Sequence, residues 1–144
     1  MINWKTPETD KLVSNIDKIV PHGYAIGLHI RYTTPSIMLQ TYDPEWTTRY
    51  SSGGYVMTDP SVHWGFANIG ATRWSEISMP DPDNVMAQAH DFGLKYGMCV
   101  ACETGGSRTI ANFAHKDREF DDAEMTEIES LLTSLHKITL PAVD

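Results

Sequence analysis

Hydrophobic positions recur at two periods along the chain, and the switches between those periods divide it into alternating helices and strands. Leu12, Ile16 and Ile19 follow Thr6-Pro7 at helical spacing, with Glu8 and Asp10 in the first turn; this predicts a helix that stops before Pro21. From Tyr24 to Tyr32 the period drops to two, which predicts a strand with Ile26, Leu28 and Ile30 on one face and Ala25, Gly27, His29 and Arg31 on the other. Thr33-Thr34-Pro35 reads as a turn. Ser36 to Tyr42 reads as the return strand, with Ser36, Met38, Gln40 and Tyr42 sharing a face opposite Ile37, Leu39 and Thr41.

Two Asp-Pro pairs then announce helices, because Asp caps a first turn and Pro suits its first position. The first runs from Asp43-Pro44 to Gly53-Gly54, and the second from Pro60 to about Asn68. Asp83 to Tyr96 predicts a further helix through Val85, Ala89 and Phe92, after which Gly97 precedes a strand over Met98 to Cys102. Thr104-Gly105-Gly106-Ser107 joins that strand to Arg108–His115 as a hairpin, and Phe120 to His136 closes the chain as a helix with Ile128, Leu131, Leu132 and Leu135 inward. The order α-ββ-α-α-α-ββ-α indicates an α+β domain with one antiparallel sheet and helices on both faces. Tyr55 to Met79 lacks a strong period, as expected where a chain crosses a pocket or adds an edge strand.

With 144 residues, the chain reads as one domain spanning 1–144. A domain of this size buries roughly 68–70% of its unfolded surface, which leaves room for a cavity inside a real core. Eleven Lys and Arg against 19 Asp and Glu give a net charge of −8 without any basic run, so the chain itself is not expected to bind nucleic acid. The longest apolar stretches fall well short of the ~20 residues of a membrane helix, and the first residues carry no signal-peptide core; a cytoplasmic protein is expected.

Candidate chemistry is sparse. Cys99 and Cys102 form a C-x-x-C, but in a strand residues three apart face opposite sides, and no second pair exists for zinc, so a structural role is expected. The six histidines show no metalloprotease spacing, and no nucleophile elbow, phosphate loop or dinucleotide motif occurs. No enzyme, metal site or cofactor is expected. The run Asp117, Glu119, Asp121 and Asp122 reads as a solvated turn and helix start.

Tyr42 to Trp74 departs from a plain apolar stripe. Trp46 and Tyr50 lie four apart on one helical face, and Tyr42 precedes that helix, so an indole N–H and two phenol hydroxyls can converge. Such a cluster is either an internally bonded network or a site whose partner is a ligand carbonyl. Asp59 is either the cap before Pro60, worth roughly 1 kcal/mol, or a buried carboxylate that accepts a ligand amide N–H. Trp74 is either core or a ligand wall.

The ordered set Tyr42-x-x-x-Trp46-x-x-x-Tyr50, Tyr55, Asp59-Pro60, Trp74-Ser75, Phe92-Gly93-Leu94-x-x-Gly97 and Asn112-Phe113-Ala114-His115 resembles the autoinducer-binding domain of LuxR-type quorum-sensing transcription factors, whose ligands are N-acyl-homoserine lactones. The resemblance runs from about Tyr24 to His136. It implies an α/β/α sandwich around a central antiparallel sheet of about five strands, similar to GAF and PAS domains, with ligand between the sheet and one helical layer. It also implies that Trp46 donates to the lactone carbonyl, Asp59 accepts the amide N–H and Tyr42 bonds the acyl carbonyl. Tyr50 packs on the lactone or acyl stem, and Trp74 walls the lactone side.

Strand phase places Ser36 and Met38 on the face of Tyr42, and Ile110 in phase with Asn112; with Ser61 these complete the expected ligand-binding set. Asn112 stands where related sequences carry a smaller polar residue that helps bind the acyl carbonyl. Ala101 replaces a common Pro, and Thr47 follows Trp46 where some members carry a basic residue.

Related regulators continue into a helix-turn-helix DNA-binding domain, which this chain does not contain. Lys137 to Asp144 reads as the start of an interdomain linker, so the chain is either the sensing part of a homodimeric regulator that reaches DNA through that other domain, or a stand-alone sensor. Two further readings stay open: the same architecture with a non-lactone lipid or aromatic amide, and a GAF-like enzyme using Cys99 and Cys102.

Overall fold

A computed structural model describes residues 3–32 and 34–140. Thr6 opens α1 (Pro7–Ile19) with a reciprocal cap in which its hydroxyl accepts Thr9 N–H at 3.2 Å while Thr9 Oγ1 accepts Thr6 N–H at 2.8 Å. The strands are β1 (Tyr24–Arg31), β2 (Thr34–Gln40), β3 (Gly70–Arg73), β4 (Tyr96–Thr104) and β5 (Ser107–His115). They form one sheet in the order β2-β1-β5-β4-β3, and every neighbouring pair is antiparallel. Between β2 and β3 lie α2 (Pro44–Ser52) and α3 (Pro60–Ala67), capped by Asp43 and Asp59; α4 (Val85–Asp91) precedes β4, and α5 (Asp122–Ile138) follows β5.

The two faces of the sheet are built differently. On one, α1 and α5 press Ile16, Ile128, Leu132 and Leu135 against Ile26, Leu28, Val100 and Phe113, all fully buried. Each such side chain contributes about 1.5–3 kcal/mol by leaving water. The other face carries small residues at its centre: Gln40, Ala25 and Asn112 are directly opposed across β2, β1 and β5, and Met38, Gly27 and Ile110 form the next rung. Ala25 and Gly27 leave space above the floor that α2, α3 and α4 roof without filling. The α/β/α sandwich with its five-stranded antiparallel sheet is therefore as expected.

Several local expectations need correction. β1 bulges between Gly27 and Ile30, with His29 at φ 54°, so the alternation inverts: His29 turns into the α5 side and Ile30 toward the small-residue face. The buried His29 ring bonds Ser107 Oγ at 2.6 Å and Thr139 Oγ1 at 2.8 Å, and it stacks on His136 at 4.7 Å.

Thr34 and Pro35 belong to β2 rather than to a turn, since Pro is tolerated on an edge strand; Thr33 lies outside the described residues. The helix expected to reach Tyr96 stops at Asp91, where Gly93 (φ 83°) reverses the chain and Leu94 N–H closes on Ala89 O, releasing Tyr96 to pair with His115. The last helix starts at Asp122, because Asp121 and Glu124 form a reciprocal cap that leaves the buried Phe120 outside it. It includes Lys137 and Ile138; residues 141–144 of the expected linker lie outside the described residues. β3 is the extra edge strand expected within Tyr55–Met79.

Candidate functional site

Between the small-residue face and α2–α4 lies a cavity of about 350 Å³. Its walls bring together Tyr42, Trp46, Tyr50, Asp59, Ser61, Trp74, Asn112, Met38 and Ile110. Ser36 does not join them. The bulge presents the His29 carbonyl to it, and the Ser36 hydroxyl donates there at 2.7 Å from an exposed position.

Local sequence explains how the polar groups arrive. Pro44 starts α2, which carries Trp46 in its first turn and Tyr50 one turn later; their rings meet edge-on at 5.8 Å, Phe92 supports the indole at 5.4 Å and Tyr55 meets Tyr50 at 6.0 Å. Asp59 is the helix cap its position suggested, and it is buried. Its Oδ1 caps α3 by accepting Ser61 N–H at 2.9 Å and Ser61 Oγ–H at 2.7 Å, while its Oδ2 accepts the Tyr50 hydroxyl at 2.7 Å. A carboxylate has about four lone-pair sites, so one acceptor position remains beside the cavity.

The aromatic cluster is part network and part open site. Tyr50 is committed to Asp59, and Trp74 donates its indole N–H to Asn112 Oδ1 at 2.8 Å. Trp74 lies directly over Gly97, where an added Cβ would stand 2.4 Å from the indole. Tyr42 makes only a long bond, 3.3 Å, to the Asn112 carbonyl. Trp46 is 3% exposed, and its indole N–H has no acceptor among the described residues. Burial first, then the nearby Asp59, pushes the Tyr42 and Tyr50 hydroxyls far up, so both remain protonated donors at ordinary pH.

The remaining walls are apolar and include residues the sequence reading did not single out. Ala25 and Gly27 create the volume, Ile30 enters through the bulge, and Val62, Phe66 and Leu94 roof it. Gln40 also lines it, and its shared strand face with Met38 and Tyr42 was the available signal. Met38 and Phe66 are 49% and 41% exposed, which marks the rim.

Two other features carry no comparable chemistry. Cys99 and Cys102 are free, buried and on opposite faces of β4; burial pushes both thiols up, away from the reactive thiolate. His22, His115 and Asp117 offer ligand atoms within 4.8 Å of one another. Yet His22 Nδ1 accepts Lys116 N–H and His115 Nδ1 accepts Asp117 N–H, both at 3.1 Å. Both Nδ1 lone pairs are therefore engaged by backbone donors, and Arg118 adds positive charge next to His115. No helix of the described residues is long and apolar enough to cross a membrane.

A sequence model of the family described as autoinducer binding domain matches residues 19–138. No curated protein matches the chain in sequence. Among solved structures, the chain is similar to CepR2 of Burkholderia cenocepacia, an N-acylhomoserine lactone dependent LuxR family transcriptional factor, at 17% identity and TM-score 0.69, covering 93% of this chain and 82% of that one. It is similar to SdiA in complex with octanoyl-rac-glycerol at 15% identity and TM-score 0.70, covering 95% of this chain and 60% of SdiA. Escherichia coli SdiA in another crystal form gives 13% identity and TM-score 0.68, covering 97% and 66%. At these identities the likeness establishes the fold.

Proposed function

The chain belongs to the autoinducer-binding domain family, and on that premise we propose that its cavity holds an N-acyl-homoserine lactone as a quorum-sensing signal. The observation that carries this reading is the pairing of the Trp46 N–H, which has no acceptor among the described residues and opens onto the cavity, with a spare acceptor on Asp59 beside the same apolar space. An acyl-homoserine lactone offers the complement: a ring carbonyl, an acyl carbonyl and one amide N–H between them.

Trp46 donates to the lactone carbonyl, and Asp59 accepts the amide N–H. Tyr42 releases its long bond to Asn112 and turns its hydroxyl to the acyl carbonyl. Tyr50 holds Asp59 from the side and packs on the acyl stem, while Ser61 secures the other carboxylate oxygen. Trp74 walls the lactone side, and Met38 and Ile110 flank the chain. A volume of about 350 Å³ suits a small ligand of this kind, since such pockets begin near ~300 Å³.

The chain spans 60% of the SdiA chain. We place it within a cytoplasmic, homodimeric transcription regulator in which ligand binding governs DNA contact by a helix-turn-helix outside these residues. One observation favours a second ligand class: the similar SdiA fold holds octanoyl-rac-glycerol, whose hydroxyls can donate to a carboxylate in place of an amide.

Competition titration separates the two. Octanoyl-homoserine lactone is expected to displace a bound lactone at least about tenfold more effectively than its ring-opened acid, which sets a second carboxylate near Asp59 in a water-poor site. Equal potency of the ring-opened form would overturn the lactone reading, and displacement by octanoyl-glycerol but not by lactone would establish the second.

A further inference from the structure

The cavity floor is graded in polarity rung by rung. Gln40, Ala25 and Asn112 form one rung beside Tyr42; Met38, Gly27 and Ile110 form the next. Two residues of strand, about 6.6 Å, separate them. A chain that leaves a head group held at Tyr42 and runs along β5 meets Asn112 before it meets Ile110.

Asn112 is oriented unambiguously. An indole N–H only donates, so the carboxamide atom 2.8 Å from Trp74 Nε1 must be the oxygen. The other arm, Nδ2, then faces away from Trp74, and its N–H groups have no acceptor among the described residues. Asn112 lines the cavity, so these donors open onto it. Gln40, at the far end of the same rung, is exposed.

Resting on the lactone reading above, we infer that Asn112 makes this site selective for an acyl chain with an oxygen on its third carbon, to which Nδ2 donates. The three polar groups of the head and amide are already matched by Trp46, Tyr42 and Asp59. Tyr42 reaches the backbone carbonyl of Asn112, so an acyl carbonyl beneath Tyr42 sits next to this rung and the first carbons of the chain cross the carboxamide. An unsubstituted chain sets a methylene against an unpaired donor; an oxygen at that carbon satisfies it.

The test is the ratio of dissociation constants for octanoyl- and 3-oxo-octanoyl-homoserine lactone, measured by calorimetric titration of the full chain. The wild type is expected to favour the 3-oxo ligand about tenfold. In Asn112→Asp the remaining oxygen still accepts the Trp74 N–H, but the donor becomes an acceptor. The preference is then expected to fall to one or below, while a 3-hydroxy ligand, which can donate, is retained over the 3-oxo one. Taking ratios within each protein cancels the general cost of the added charge.

Equal binding of both ligands by the wild type, or a ratio unchanged in Asn112→Asp, overturns the inference while leaving the lactone reading intact. If the variant does not fold, the wild-type ratio decides alone. If neither lactone binds, the lactone reading falls and this inference falls with it.

Discussion

Asp59→Asn is expected to weaken lactone binding by roughly 10- to 100-fold, the worth of one charge-assisted hydrogen bond in a water-poor site. The carboxylate is almost buried and already accepts Tyr50 and both Ser61 donors, so an amide N–H from the ligand completes it. Asparagine caps helices about as well as aspartate, so α3 keeps its start and the apo protein keeps its fold. Its Nδ2, however, faces Tyr50 and the ligand amide with a donor where both present donors.

Trp74→Phe serves as the comparison, because the bond it removes runs to Asn112 rather than to ligand; a loss of only a few-fold is expected. Titration of both variants checks the order. Binding by Asp59→Asn that equals the wild type would remove Asp59 from the amide role.

Acid should destabilise the protein through His136 on α5. Burial, then the neighbouring His29 and Lys137, lowers His136 from 6.5 to about 4. It is fully buried and bonded through Nδ1 to Thr109 Oγ1 at 2.6 Å, with Nε2 3.2 Å from Thr104 Oγ1. A depressed histidine contributes stability that is complete above the unfolded value and is lost as pH falls, since only the unfolded chain takes up the proton.

Between pH 7.5 and 4.5 the loss is roughly 2–3 kcal/mol. His115, also lowered, acts in the same direction, and below pH 4.5 so does Glu124, held near 2 by Arg118 and the Asp121 N–H. Urea midpoints at both pH values measure this. His136→Gln should flatten most of the difference; a wild type with the same midpoint at both would contradict the account.

What could be read from the sequence was whatever is encoded locally. Three Pro-led helix starts, at Thr6-Pro7, Asp43-Pro44 and Asp59-Pro60, sit at the expected residues because cap chemistry depends on a few neighbours. The Gly105-Gly106 hairpin is likewise local. The bulge at His29 was not legible, since a positive φ at a non-glycine residue is held by partners on β5 and at the C-terminal cap of α5, some 78 to 110 positions away.

The same inversion explains why Ile30 lines the cavity and why Ser36, expected beside Tyr42, instead braces the His29 carbonyl. Most of the proposed ligand set shares one cavity, because helix spacing brought Trp46 to Tyr50 and strand phase brought Met38 toward Tyr42 and Ile110 toward Asn112. The Trp74–Asn112 bond spans 38 residues between separate elements and only the fold reveals it. Ala25 and Gly27, which make the space, carry no side-chain chemistry to notice.

The central claim, that ligand completes an unfinished core, is tested most directly by thermal melts of the apo protein with acyl-homoserine lactones of graded chain length. Ligand at 100 times its Kd adds about 2.7 kcal/mol, or roughly 5–10 °C at this size. The shift should grow with chain length, since each buried methylene contributes about 0.8 kcal/mol, until the chain reaches the rim at Met38 and Phe66. Folded, ligand-free protein whose melting temperature no lactone moves would contradict the account.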